Sequence, residues 1–240
     1  MKTVHWTLNP KGGVGKSFVA SLIAQRLQDR GENPGCYDTD PSNATFTGFK
    51  ALDVKRVEVQ DRNLEVNIRA FDPMMEVVLG EDRSFVIDNG SGTFVPLSNY
   101  LVQNGVFDMI ADAGKQSIVH TVVTGGQALR DTLGGFVALA SNLPESAKLV
   151  VWLNEYFGPV EHNGKAFEDL EMYQENKGNV LGIIRIPDRN KETFGHDIRT
   201  MLEERLTFNE VLQSPTVGVM PRQRLTQVRR DLWARIDQVL

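Results

Sequence analysis

The chain has 240 residues, of which 41% are hydrophobic and 24% charged, and its formal net charge at pH 7 is −5. This composition predicts an ordinary globular protein, and the acidic balance argues against a protein whose whole surface binds nucleic acid. The single cysteine, Cys36, excludes a disulfide framework and an iron–sulfur cluster held within one chain. No apolar run approaches the roughly 18 residues that span a bilayer, and no signal-peptide core is visible, so we expect a soluble cytoplasmic protein.

Short apolar runs alternate with longer amphipathic ones along the chain. The short runs predict strands at Thr3–Leu8, Pro34–Thr39, Val54–Val59, Leu64–Ala70, Ser84–Asp88, Ser117–Val123, Lys148–Asn154 and Asn179–Ile186. The amphipathic runs predict helices at Ser17–Arg30, Gln127–Leu143, Gly164–Lys177, Gly195–Leu206 and Gln223–Leu240, with Gly31 as the C-cap of the first. The segment 54–70 indicates a local hairpin around Gln60–Asn63. Otherwise the alternation predicts a single α/β domain over residues 1–240, with a mostly parallel twisted sheet flanked by helices on both faces.

A glycine-rich run lies between the first predicted strand and the first predicted helix. It reads Asn9-Pro10-Lys11-Gly12-Gly13-Val14-Gly15-Lys16-Ser17. P-loops lie at this place, between a strand and the helix that follows it. Their glycines bring backbone N–H groups onto phosphate oxygens, and the start of the helix favours the bound anion. Lys16 would reach the β- and γ-phosphates, and the Ser17 hydroxyl would ligate Mg²⁺. The alternative is an ordinary glycine-rich turn.

The run departs from the standard P-loop pattern at one position, where Pro10 replaces a glycine, and it contains a second lysine, Lys11. It therefore predicts a variant P-loop NTPase. We expect ATP or ADP to bind with Mg²⁺ through Lys11, Gly12, Gly13, Val14, Gly15, Lys16, Ser17 and Phe18.

Acidic residues at two strand ends are expected beside this loop, because ligands in open parallel sheets bind beyond the carboxyl ends of the strands. Asp88 ends an apolar strand and is predicted to hold Mg²⁺ through water. Asp40 follows the second strand and is predicted to orient the attacking water and to contribute to the metal site. Asp38 is the next candidate for the metal role. Taken alone, each aspartate would also suit a turn or a helix cap.

The run Lys11–Ser17, together with Asp38-Thr39-Asp40-Pro41, resembles the deviant Walker A ATPases of the ParA and MinD families. The resemblance implies an ATP-dependent homodimer, in which Lys11 reaches the partner's phosphates and Asp40 supports hydrolysis. Val150–Asn154 is similar to the family's late strand that ends in asparagine, and this resemblance implies that Asn154 reads the adenine base. The run Leu181–Asp188 is similar to a family loop whose backbone packs on the base, here at Pro187 and Asp188. A buried strand and an ordinary loop are the alternatives for these two late motifs.

A narrower resemblance, to the TraL/StbB group of conjugative-plasmid proteins, covers nearly the whole chain. The segments that carry it are Ile87–Gly90, Phe94–Ser98, His120–Ala128 and Val151–Asn154. The resemblance implies a role in plasmid conjugal transfer, stability or partition, and a DNA-bound, plasmid-encoded partner protein. One departure from the wider family is Asn89-Gly90, which stands after Asp88 where Thr-Pro or Cys-Pro is common.

The C-terminal stretch allows three interpretations. Apolar residues recur at helical spacing at Leu225, Val228, Leu232, Ile236 and Val239, and arginines stand mostly off that stripe at Arg222, Arg224, Arg229, Arg230 and Arg235. Such a helix could lie on a membrane surface, carry non-specific DNA, or pack on the sheet with a solvated basic face.

The expected function is therefore a Mg-ATP-dependent ATPase switch, associated with the nucleoid or with a membrane. The alternatives are a MinD-like membrane-attaching ATPase, a nucleotide-dependent adaptor with little turnover, and a metabolic P-loop enzyme. The reductase form of the last is excluded, because Cys36 supplies only two thiolates to a dimer and a cluster needs four.

Overall fold

A parallel β-sheet forms the centre of the fold. The computed structural model describes residues 1–61, 63 and 65–240. Within these residues the sheet has seven strands, β1 Lys2–Thr7, β2 Gly35–Asp38, β3 Lys55–Arg56, β4 Phe85–Asp88, β5 Lys115–Thr124, β6 Ala147–Asn154 and β9 Val180–Ile186. Their spatial order is β3-β2-β4-β1-β5-β6-β9, and every neighbouring pair is parallel. A separate antiparallel hairpin consists of β7 (Glu161–His162) and β8 (Lys165–Ala166).

Helices cover both faces of the sheet. One face carries α1 Lys16–Asp29, α7 Phe194–Glu203, α8 Phe208–Gln213 and α9 Val219–Ile236. The other face carries α2 Asp72–Gly80, α3 Phe94–Gln103, α4 Val106–Asp112, α5 Leu129–Asn142 and α6 Glu171–Asn176. The central strands are apolar on both sides because successive strand residues alternate between faces. In β6, for example, Val151 belongs to the core under α5 and Trp152 to the core under α1.

The parallel arrangement brings the carboxyl ends of the strands to one edge of the sheet. β1 lies between β4 and β5, so the loop after β1 lies in the middle of this edge. In the strand register, Asp88 at the end of β4 is opposite both Thr7 of β1 and Asp38 of β2. Ligands of open parallel sheets bind at such an edge. The topology therefore places the glycine-rich loop beside both predicted acidic positions.

The predicted α/β fold is confirmed, and the differences lie in the connections. The hairpin predicted over 54–70 is present only at its centre, where an antiparallel bridge joins Gln60 and Val66 and the N–H groups of Asp61 and Asn67 donate to Glu65 O and Val59 O. Before this bridge β3 pairs with β2 at the sheet edge, and after it a 3₁₀ turn covers Ile68–Phe71. Two positions of that prediction, Arg62 and Leu64, lie outside the described residues.

The helix predicted over Gly164–Lys177 is wrong in its first half. Asn163 and Gly164 have φ of 52° and 73°, and together they form the turn of the β7–β8 hairpin. An Asn-Gly pair favours this two-residue turn because both positions need positive φ. α6 is the part of the prediction that is helical, and α2, α3, α4 and α8 were not predicted.

The C-terminal helix α9 packs on the sheet. Its apolar residues Leu225, Val228, Leu232 and Ile236 are buried in the core under α1. Arg224 pairs with Asp197, Arg229 with Asp29 and Arg235 with Asp231, while Arg222 donates to the carbonyl oxygens of Ser214 and Val217. Arg230 is the one arginine of this helix without such a partner among the described residues. Of the three interpretations, the structure shows the packed helix, with most of its arginines engaged rather than solvated.

Across residues 1–61, 63 and 65–240, no helix has the length and apolarity needed to cross a membrane.

Candidate nucleotide-binding site

The loop between β1 and α1 is shaped for an anion. Gly13 and Gly15 have φ of 74° and 107°, a left-handed conformation that residues with a side chain rarely adopt. Gly15 caps α1, and no side chain of the described residues caps the first N–H groups of this helix. Those N–H groups and the positive end of the helix dipole are therefore available to phosphate oxygens.

Asn9 anchors the start of this loop. Its Oδ1 accepts a hydrogen bond from the backbone N–H of Lys11 at 2.9 Å, and its Nδ2 donates to the carbonyl oxygen of Val122 at 2.8 Å. The side chain is fully buried. Sequence reasoning gave Asn9 no role, although an asparagine between a buried strand and Pro10 is a recognisable turn signal. Asn9 ties the loop to β5 and thereby fixes the position of Lys11.

Lys16 lies inside the loop. It is 8% exposed, and its Nζ donates to the carbonyl oxygen of Lys11 at 2.7 Å. Burial lowers the pKa of Lys16, while Asp88 and Asp40 act in the opposite direction and favour its charged form. The ammonium group is thus held within the loop by one backbone carbonyl oxygen, with the carboxyl groups of Asp88 and Asp40 near enough to favour its charge.

Asp88 is buried beneath the loop, next to Ser17. Its Oδ1 accepts a hydrogen bond from the Thr7 hydroxyl at 2.5 Å, and Ser17 is close enough to the same carboxyl group to affect its pKa. Burial raises the pKa of Asp88 to about 7, although Ser17, Thr7 and Lys16 favour its ionised form. A hydroxyl and a carboxylate are hard oxygen donors, so this pair fits Mg²⁺. Sequence reasoning missed Thr7, which aligned strand ends could have revealed.

Asp38 and Asp40, which lie at and just after the end of β2, have different environments. Asp38 is fully buried, and its oxygens accept hydrogen bonds from the backbone N–H of Asp40 and from the N–H and hydroxyl of Thr47. Asp40 is half-buried and lines the cavity beside Lys16. Asp38 therefore shapes the loop after β2, and Asp40 is the aspartate that faces the ligand cavity.

Gly90 lies directly against the carboxyl group of Asp40. A methyl group at Gly90 would come within 2.5 Å of the Asp40 Cγ and within 2.8 Å of both its oxygens, closer than real Cβ contacts. The neighbouring Asn89 is buried, and its Oδ1 accepts hydrogen bonds from the hydroxyls of Thr39 at 3.0 Å and Thr93 at 2.6 Å. The Asn89-Gly90 pair therefore joins the ends of β2 and β4 and leaves room for Asp40.

The sequence predicts that Asp40 orients the attacking water in ATP hydrolysis. On that prediction, replacing Gly90 with alanine is expected to displace Asp40 and to lower hydrolysis by roughly tenfold to a hundredfold, because a displacement of about 1 Å is costly to an oriented reaction. ADP affinity should stay near the wild-type value, since the three atoms nearest to the added methyl group all belong to Asp40 and none to the P-loop. Phosphate release at saturating Mg-ATP and calorimetric titration with ADP would measure both effects. The matched control is Gly92→Ala, because a methyl group at Gly92 meets open space. Equal hydrolysis by the two variants would contradict this prediction.

Two cavities meet at the P-loop. The first has a volume of about 290 Å³ and the second about 390 Å³. The lining of the first includes Val14, Asn154, Tyr156, Phe157, Pro187 and Asp188, with Arg189, Lys191 and Arg199 also bordering it, and the lining of the second includes Gly12, Lys16, Ser17, Asp40, Asn43 and Ser91. Both are bordered by Gly13, Gly15, Phe18, Leu202 and Arg205. An apolar and aromatic chamber thus adjoins a polar chamber that contains the loop lysine, which suits a nucleoside joined to phosphates.

Asn154 connects the P-loop to the first cavity. Its Nδ2 donates to the carbonyl oxygen of Val14 at 2.9 Å, and its Oδ1 accepts from the backbone N–H of Tyr156 at 3.2 Å. The side chain is 6% exposed. Both ends of the amide are therefore engaged within the protein. The adenine-reading roles of Asn154, Pro187 and Asp188 stay predictions, made for residues that do line one cavity.

Lys11, which the sequence predicts as a site residue, lies on the protein surface and lines neither cavity. Its side chain is 44% exposed, and its Nζ forms an ion pair at 2.8 Å with Asp131 in the first turn of α5, whose side chain is 57% exposed. Sequence reasoning gave Asp131 no role, because the two residues are 120 positions apart in a sequence without a motif that links them.

Comparison with known proteins agrees with this geometry. Residues 6–198 match the family model described as the CobQ/CobB/MinD/ParA nucleotide binding domain. Two proteins named TraL, both from Escherichia coli, are 49% and 48% identical to this chain over 237 residues, which cover 99% of this chain and 98% of each relative.

Solved structures share the fold. The Pyrococcus furiosus cell division ATPase MinD aligns over 100% of both chains, with a TM-score of 0.57 and 16% sequence identity. The septum site-determining protein MinD from Pyrococcus horikoshii, solved with Mg-ADP, aligns over 96% of both chains, with a TM-score of 0.52 and 15% identity.

Proposed function

The chain belongs to the CobQ/CobB/MinD/ParA family of nucleotide-binding domains, and from this membership we propose that it is a Mg-ATP-dependent switch. In this proposal the protein binds ATP, dimerises around it and hydrolyses it slowly. The observation that carries the proposal is the pair of cavities that meet at the P-loop, with Lys16, Ser17 and Asp40 lining the polar one.

The base and ribose would occupy the apolar cavity, and the phosphates the polar one. On binding, the Lys16 ammonium would exchange the carbonyl oxygen of Lys11 for the β- and γ-phosphate oxygens. The N–H groups of the loop and of the first turn of α1 would bind the remaining phosphate oxygens. Burial favours this exchange, since a charge-assisted bond to phosphate is stronger than a bond to a neutral carbonyl.

The donor set beneath the loop fits Mg²⁺. Ser17 would ligate the ion directly through its hydroxyl, and Asp88 would hold it through water. The ion would supply positive charge beside the phosphates. Thr7, which donates to Asp88, would keep the carboxyl group in position, as partners of metal-site carboxylates commonly do.

Hydrolysis would depend on two further groups, the Asp40 carboxylate and the Lys11 ammonium of a second copy. Asp40 would orient the attacking water from its place in the polar cavity, against Gly90. Lys11 of a second copy would add positive charge to the phosphates across a dimer interface. Stabilising charge is the main catalytic device in phosphoryl transfer, so a lysine that arrives only in the dimer would couple turnover to dimerisation.

The proposed biological setting is plasmid conjugal transfer, stability or partition, with a DNA-bound, plasmid-encoded protein as partner. The near full-length identity to the two TraL proteins supports this setting. A MinD-like, membrane-attaching ATPase is the alternative. The buried apolar stripe of α9 disfavours it, because that stripe is not available to lipid. Liposome flotation with and without ATP would separate the two, and flotation that depends on ATP would favour the membrane-attaching form.

The proposed metal role predicts a pH dependence. Because the pKa of Asp88 is raised to about 7, its carboxyl group is mostly protonated at pH 6 and mostly ionised at pH 8. Holding hydrated Mg²⁺ needs the ionised form, so Mg-ADP affinity is expected to rise by about tenfold between these two pH values. Asp88→Asn should fold, lose Mg²⁺-dependent ATP turnover and keep only the pH dependence that the nucleotide itself causes.

The measurements are calorimetric titration with Mg-ADP at pH 6 and pH 8, phosphate release with ATP, and circular dichroism for folding. Asp112→Asn is the matched control, since Asp112 is exposed at the end of α4, away from the site. Full Mg²⁺-dependent turnover in Asp88→Asn would move the metal role elsewhere, with Asp38 as the next candidate. Tight Mg-ATP binding by the wild type without any turnover would favour the nucleotide-dependent adaptor.

A further inference from the structure

Arg205 lies where the two cavities meet. Its side chain borders both the apolar and the polar cavity, just after the end of α7. Its guanidinium donates from Nη1 to the carbonyl oxygen of Leu202 at 2.6 Å. Within residues 1–61, 63 and 65–240 it forms no ion pair with a carboxylate. Since a guanidinium has five N–H donors, most of them are left to bind a ligand.

The backbone of Arg205 adopts a conformation that favours glycine. Its φ is 56°, in the left-handed region. The N–H of Arg205 donates to Leu202 O at 3.2 Å, and the N–H of Leu206 donates to Met201 O at 3.0 Å. This pair of hydrogen bonds ends a helix with one left-handed residue, which is usually glycine because a side chain is strained there.

The same chain ends α1 with the same motif and with the expected residue. There the left-handed position is Gly31, with φ of 79°, and the two hydrogen bonds run from Gly31 to Gln28 at 2.9 Å and from Glu32 to Leu27 at 3.0 Å. The helix ending alone therefore does not call for arginine. At Arg205 the chain carries a strained residue in a place where glycine would serve.

A glycine at position 48 leaves room for the Arg205 side chain. Its stem lies over Gly48, the last residue of the 3₁₀ turn Phe46–Gly48. A methyl group at Gly48 would come within 2.8 Å of the Arg205 Cγ and 3.0 Å of its Cδ. One strained residue and one glycine thus hold the guanidinium at the junction of the cavities.

We propose that Arg205 binds the α-phosphate of the bound nucleotide. This inference rests on the proposed binding of ATP. A nucleotide that places its base and ribose in the apolar cavity and its terminal phosphates beside Lys16 has its α-phosphate next to the junction between the two cavities. A guanidinium without a carboxylate partner has the charge and the planar pair of donors that bind a phosphate group well.

The test uses Arg205→Gly in the full chain. Glycine is unstrained at this φ, so the variant should unfold at the same temperature as the wild type or higher. Its affinity for ADP should nevertheless fall by at least about tenfold, the usual worth of a charge-assisted hydrogen bond. Adenosine, which has no phosphate, should bind both proteins equally. Arg205→Lys should give an intermediate loss, because it keeps the charge and loses the paired donors.

Two further variants complete the experiment. Gly48→Ala should displace the arginine stem and weaken ADP binding, whereas Arg230→Gln, at an exposed arginine of α9, should change nothing. Wild-type ADP affinity in Arg205→Gly would overturn the inference, as would an equal loss of adenosine and ADP. In both cases the wild type still binds ADP and the proposed function stands. A wild type that binds no ADP would overturn the proposed function and this inference with it.

Discussion

Replacing Lys16 with alanine is expected to abolish measurable ATP and ADP binding. The lysine is almost fully buried, and its Nζ lies within the loop that would hold the phosphates. Its loss removes the one buried positive charge that lines the polar cavity among the described residues, while Asp40 and Asp88 stay in place. An anion would then enter a site with uncompensated carboxyl groups. The loss of several charge-assisted hydrogen bonds corresponds to a fall in affinity of at least about a hundredfold.

This expectation can be checked by calorimetric titration with Mg-ADP and Mg-ATP. Lys16→Met is the better-matched variant, because it keeps the buried stem and removes only the charge, and thermal unfolding would show whether each variant folds. Lys177→Met serves as the control, since Lys177 contacts Gln174 far from the loop. Unchanged Mg-ATP affinity in Lys16→Met would show that the P-loop assignment is wrong.

ATP-dependent dimerisation is expected to respond in opposite directions to changes at Lys11 and Asp40. Lys11→Ala should leave the affinity of the monomer for ADP nearly intact, because the lysine lies outside both cavities. It should weaken the ATP dimer and slow hydrolysis, because the partner's phosphates lose a compensating charge. Asp40→Ala should leave ATP uncleaved, so that the dimer accumulates.

Asp131 supplies a third variant for this test. It holds Lys11 in an ion pair within one chain, so Lys11 must leave Asp131 before it can reach a partner. An exposed ion pair is worth at most about 1 kcal/mol, so Asp131→Asn should strengthen the dimer by no more than about fivefold. Light scattering with ATP and then with ADP would measure how far each of the three variants dimerises. An Asp40→Ala protein that stays monomeric in saturating ATP, or a Lys11→Ala protein that dimerises like the wild type, would contradict the sandwich dimer and favour the adaptor.

Local patterns in the sequence were sufficient for the core of the candidate site. The glycine spacing of residues 12–17 specifies a turn with positive φ at Gly13 and Gly15, and the following amphipathic run specifies α1. Apolar runs that end in an aspartate specify β2 and β4, and parallel strands bring their ends together. Each of these features depends on neighbours within a few residues, so the sequence alone predicts it.

The wrong helix prediction over Gly164–Lys177 also concerns a local signal. The Asn163-Gly164 turn was a local signal, and weighting it above the helical periodicity would have predicted the β7–β8 hairpin. The interpretation of α9 could not be decided in this way. Whether Arg224 and Arg229 face solvent depends on Asp197 and Asp29, which stand on α7 and α1.

The sequence by itself therefore determined the α/β fold, the P-loop and the two acidic strand ends, since all three are encoded in short, periodic stretches. The tertiary structure alone decided which residues support them. Thr7 meets Asp88, Gly90 meets Asp40, and Arg205 lies over Gly48. The residues of these pairs are 81, 50 and 157 positions apart in the chain, in the same order. Their distances are set by the crossovers of the sheet and by the packing of α7, which no local spacing in the chain records.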